Sequence, residues 1–97
     1  MNTDPDSLAE ERRVWLVERT YGDDELNLVI LVYATPDGER YLRKERALTS
    51  FDDERPTPVS MLVAPEELGE VGDAAESERY AAEADRMRSN HDPEDTI

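Results

Sequence analysis

The sequence predicts a small α+β domain: an antiparallel β-meander of three to four strands with one C-terminal α-helix. Three observations carry this prediction. Residues 26–35, LNLVILVYAT, form a short and nearly continuous apolar run, and TPDG follows it at once. Residues 14–21, VWLVERTY, are rich in the β-branched and aromatic side chains that strands favour. Residues 73–90, DAAESERYAAEADRMRSN, are dominated by alanine and glutamate, both strong helix formers.

Each element follows from its local chemistry. Residues 1–12 are polar and acidic and are expected to form a flexible arm, although Ser7 and Glu10 fit a weak capping box. A single domain is expected over residues 13–90. Its first strand covers 14–21. A helix from Pro5 to Arg19 competes for the same residues, but 14–17 are apolar without a break and show no 3.6-residue stripe. GDDE makes a turn, and 26–35 is the clearest strand in the chain. In TPDG, Pro36 presets φ, Asp37 supports the bend and Gly38 takes the left-handed position. The chain then returns as a third strand over 39–49.

A three-residue loop, Pro36–Gly38, sets Thr35 opposite Glu39. That register pairs Tyr33 with Tyr41, Val32 with Leu42, Ile30 with Lys44 and Leu28 with Arg46. SFDDERPTP is a loop, VSMLVA (59–64) a candidate fourth strand, and APEEL a short helix with proline at its start. GEVG breaks that helix. In the C-terminal helix Asp73 is the cap, and Glu76–Arg79, Glu83–Arg86 and Asp85–Arg88 are opposite charges three residues apart. Its apolar stripe, Tyr80, Ala84 and Met87 with Ala81 beside it, is narrow. Residues 91–97 are expected to be a disordered tail.

Composition narrows the setting. The 97 residues carry a net charge of -14, and hydrophobic and charged residues each make up 37%. Ten of the eleven bases are arginine. An excess of 25 acids over 11 bases strains a compact chain by self-repulsion. Molar salt shortens the Debye length to ~3 Å and relieves that strain. The composition resembles that of proteins from extreme halophiles, which keep molar salt in the cell; an ordinary acidic protein with an acidic tail is the alternative. No cysteine is present, so disulfides and thiolate metal sites are excluded. Acids follow Met1 where a secretory leader carries bases, and Leu28–Ala34 is too short to span a membrane. A cytoplasmic protein without membrane association is expected.

The second strand is apolar on both faces. Leu28, Ile30, Val32 and Ala34 point one way, and Val29, Leu31 and Tyr33 the other. A half-exposed strand would alternate apolar with polar residues. One slender helix covers one face. The other needs the N-terminal arm, the Pro65 helix or a second molecule, because leaving large side chains bare forfeits ~1.5–3 kcal/mol each. A second copy of the chain is the expected cover, since two-fold dimers are the commonest oligomers. Its interface would use Trp15, Val17, Val29, Leu31, Tyr33 and Tyr41.

Residues 36–50 hold three acids and four bases, +1 in a chain where 51–97, with fourteen acids and four bases, carry -10. The bases Arg40, Arg43, Lys44 and Arg46 either rim the core and pair with the protein's own acids or receive an acidic protein or other anionic partner. Interleaved with Tyr41 they could also track a nucleic-acid backbone, but the acidic chain repels nucleic acid and salt erodes such binding steeply. Adjacent acids such as Asp23/Asp24, Asp52/Asp53 and Glu66/Glu67 carry no information among so many, and no calcium-loop spacing occurs. His91 is the lone histidine, beside Asp92. With no cysteine and no G-x-S-x-G, nucleophilic catalysis has no basis. The expected function is a non-enzymatic protein-interaction or small regulatory module of a salt-adapted cytoplasm, homodimeric and without cofactor or metal. The alternatives are a nucleic-acid-binding regulator using 40–46, and a small-molecule-binding protein or enzyme with a carboxylate-lined pocket.

Overall fold

The computed structural model describes residues 11–21, 28–47 and 56–97. Most of the expected N-terminal arm (residues 1–10), the GDDE turn and the first part of the SFDDERPTP loop lie outside them. The elements are β1 (Arg12–Tyr21), β2 (Leu28–Ala34), β3 (Arg40–Ala47), β4 (Ser60–Val63), a single 3-10 turn (Pro65–Glu67), β5 (Gly69–Glu70) and α1 (Ala74–Asn90). The strands form an antiparallel sheet in the order β4-β1-β2-β3-β5. The predicted α+β class, the meander and the C-terminal helix are all present. Two residues opposite Arg40 and Tyr41 add β5, too short to leave a pattern in GEVG.

The β2–β3 register differs from expectation by one residue. Tyr33 pairs with Leu42, Ala34 with Tyr41, Leu31 with Lys44 and Val29 with Arg46. The cause lies in the turn. The Thr35 hydroxyl donates to Asp37 at 2.6 Å and accepts the Arg40 N–H at 3.2 Å, while Asp37 also accepts the Glu39 N–H. The Thr35 carbonyl is taken by the Gly38 N–H. These bonds keep Glu39 in the loop, so four residues rather than three separate the paired Thr35 and Arg40. Gly38 sits at φ +76°, as a left-handed turn position requires.

Directly paired residues share a face. Val29, Leu31 and Tyr33 therefore lie with Leu42, Lys44 and Arg46, and Ile30, Val32 and Ala34 with Tyr41, Arg43 and Trp15. In β1 the register shifts between Leu16 and Glu18, so Val17 is the extra residue of a bulge. Val14, Trp15, Leu16 and Val17 are buried in succession because both faces of the sheet are covered here.

The helix lies over the Trp15 and Val32 face. Its Arg79 reaches Glu18, the partner of Val32, at 3.0 Å. Its buried residues are Tyr80, Ala84 and Met87, the stripe the sequence marks. Asp73 caps it by accepting the Glu76 N–H at 2.8 Å, and the three expected ion pairs form. Across the sheet, the chain entering β4 supplies cover. The Tyr33 hydroxyl donates to the Pro58 carbonyl at 2.7 Å, and Thr57 and Val59 are buried.

Residues 91–97 are not a loose tail. Thr57 and Ile97 exchange two backbone hydrogen bonds, and the Val59 N–H donates to the Asp95 carbonyl. The C-terminal segment thus lies against the residues leading into β4, because those backbone groups are paired rather than left to solvent.

Candidate functional site

The six residues expected at an interface are accommodated within one chain. Trp15, Val17, Val29, Leu31 and Tyr33 are buried, and Tyr41 is half-buried with its ring against Gly69 of β5. The five buried residues offer no free apolar surface, and Tyr41 keeps part of its surface exposed. Among the described residues, the large apolar side chains that remain exposed are Tyr21, Leu62 at 48% and Ile97.

The four bases of β3 split between the two faces because side chains alternate along a strand. Arg43 lies on the helix side and pairs with Glu45 on the same strand. Lys44 and Arg46 lie on the opposite face with Leu31 and Val29 as direct partners. Arg40 begins the strand opposite Glu70. Among the described residues, Arg40 and Lys44 have no ion-pair partner.

Lys44 and Arg46 edge a cavity of about 280 Å³ whose other walls are Leu31, Tyr33, Pro58 and Met61, with Glu45 at the rim. The walls are mostly apolar. Arg46 places Nη2 3.5 Å from the Thr57 hydroxyl, a long contact, and its Nε is buried with no hydrogen-bond partner. Burial pushes the Tyr33 phenol up to about 12, against the opposing pull of the Arg46 and Arg19 charges. Tyr33 is therefore a neutral wall whose hydroxyl proton is already committed to Pro58.

Two other depressions differ in kind. One of about 450 Å³ opens beside Glu39, Arg40, Glu70 and Ser77 and is polar. The other lies between the β1 bulge and the C-terminal half of α1, with Glu83 and Arg86 at its rim. Among the described residues, no group of three or more His, Asp or Glu side chains is placed to hold a metal ion, and no helix is long and apolar enough to cross a membrane. His91 lies 3.7 Å from Asp95 at the end of α1.

Leu31, Tyr33, Lys44 and Arg46 stand out in the sequence; Pro58 and Met61 do not. The available signal was the absence of charge over residues 56–65 in a chain that is 37% charged. Such a stretch is under pressure to be buried or to meet something neutral. Comparison with curated proteins returns no match, and comparison with solved structures returns none either. A family model matches residues 8–97, nearly the whole chain and all of the described fold, and by that match the protein belongs to a family of unknown function, DUF7967.

Proposed function

We propose that this protein is a non-enzymatic binding module of a salt-rich cytoplasm that receives an anionic partner on β3. The observation that carries the reading is the pair Lys44 and Arg46 at the mouth of an apolar cavity, one without an ion-pair partner among the described residues and the other with an unpaired buried donor. Cations held beside apolar surface act where water is partly excluded, so they retain value when salt screens exposed charges. Partner capture from a molar-KCl lysate tests it. Lys44→Glu should lose the partner, and Arg43→Glu, on the helix side, should lose less. Equal capture by wild type and the Arg43→Glu/Lys44→Glu double variant would retire the proposal.

Homodimerisation belongs to the same proposal, with its surface moved to β4. That strand pairs with β1 on one side and ends the sheet on the other. It carries no charge, and Leu62 on it is half exposed. Its unpaired edge is short, four residues, but has no charge to block pairing, and a strand meeting its own copy antiparallel generates a two-fold. Sedimentation in molar KCl should show a dimer that Leu62→Arg converts to monomer. A monomeric wild type at high micromolar concentration would end this part.

A further inference from the structure

We propose that the cavity beside β3 binds a small carboxylate with a compact apolar body, clasped by Arg46 and Lys44. The inference rests on reading β3 as the anion-binding surface and adds the ligand's chemistry. Four apolar or neutral walls, Leu31, Tyr33, Pro58 and Met61, ask for an apolar body. The space of about 280 Å³ is at the small end for ligand pockets and limits that body to a short chain or a single ring.

The head group follows from Arg46. A buried donor without a partner costs free energy until something accepts from it. Among the described residues, Arg46 leaves Nε in that state and spends Nη2 only on a 3.5 Å contact with Thr57. The same two nitrogens of Arg79 clasp Glu76 at 3.1 and 2.7 Å, and those of Arg86 hold Glu83 at 3.1 and 2.9 Å. This edge of the guanidinium matches a carboxylate with two parallel hydrogen bonds. Among the described residues, Arg46 thus lacks the kind of partner that the other two have found. Lys44 adds a second positive charge at the same mouth.

A monoanion fits better than a phosphate dianion. Glu45 stands at the rim and the chain carries -14, so a second negative charge is repelled. A phosphate would also leave the Leu31 and Met61 walls unfilled. Short-range paired hydrogen bonds and apolar burial both persist at molar salt, where long-range attraction does not.

The test is an NMR titration of the full chain in molar KCl with hexanoate, hexanol and inorganic phosphate. Hexanoate should shift the Leu31 and Met61 methyl signals and the Arg46 Nε–H saturably. Hexanol should bind about tenfold more weakly or worse, the loss expected when a charge-assisted pair is replaced by one neutral hydroxyl. Arg46→Gln should weaken hexanoate about tenfold while leaving hexanol unchanged, a difference that general unfolding cannot produce. Hexanol binding as tightly as hexanoate in the wild type overturns the proposal without need of any variant. Phosphate and hexanoate perturbing Lys44 and Arg46 alike, with the methyls still, overturns the cavity and leaves the β3 surface standing. No response of Lys44 or Arg46 to either anion overturns both.

Discussion

Tyr33 joins the two halves of the chain through one proton. Its side chain is wholly buried, and its hydroxyl donates to a carbonyl 25 residues away. Burial raises its pKa from the ordinary value near 10 to about 12. The folded state therefore holds the proton more tightly than the unfolded chain. Stability from this group is complete below pH 10 and is lost as pH rises through about 12. Tyrosinate absorbance should show a phenol that ionises only near pH 12, and Tyr33→Phe should remove that step. The same variant leaves the Pro58 carbonyl without its donor, for a cost of about 1–3 kcal/mol in denaturant unfolding. The inward position of Tyr33 was legible in the sequence, because residues 28–34 are apolar on both sides. Its partner was not, since nothing in RPTPVSM announces which carbonyl will meet a phenol.

The turn between β2 and β3 shows where element-level reading stops. Strand positions and the helix with its cap follow from pattern and propensity. Register does not, because it was decided by the Thr35 hydroxyl and the Asp37 carboxylate, which satisfy backbone groups that a shorter loop would have paired. The Thr35 and Glu39 hydrogen bonds hold the Asp37 carboxyl below the usual aspartate range. Their stabilisation is complete above the ordinary aspartate value and lost as pH falls through the lower native one. Gly38 fixes the turn to the helix. A Cβ there would stand 2.1 Å from the Ser77 carbonyl oxygen and 2.8 Å from the Ala81 nitrogen. Gly38→Ala should therefore cost more than the ~1–2 kcal/mol of a left-handed backbone alone, read as a lowered denaturation midpoint. Asp73→Ala, which removes only the α1 cap, should cost about 1 kcal/mol in the same assay.

At the scale of the molecule, the doubly apolar β2 demanded two covers. One is legible as α1; for the other, where the sequence points to a second chain, residues 57–59 of the same chain supply cover ahead of β4. Leu31, Tyr33, Lys44 and Arg46 each stand out in one hairpin, but the expected register set the two bases opposite Ile30 and Leu28, on the other face; the one-residue shift of the turn brings the four together. Pro58 and Met61 arrive from a remote segment, and topology alone brings them there. The ion pairs of α1 are exposed and contribute little. Self-repulsion from the -14 charge should outweigh them. The denaturation midpoint is thus expected to rise steadily from dilute buffer to molar KCl, measured by Trp15 fluorescence; a flat or falling profile would contradict the salt-adapted reading.

The place of β4 beside β1 governs how the chain reaches this state in time. Arg13 and Ser60, joined by a 2.9 Å hydrogen bond, are 47 residues apart, whereas β1, β2 and β3 meet through near neighbours. Closing the longer loop carries a greater entropic barrier and comes last. Val59→Ala should then quicken unfolding with little effect on the folding rate, and Val32→Ala should retard folding itself, so that stopped-flow kinetics separate the early hairpins from the late clasp.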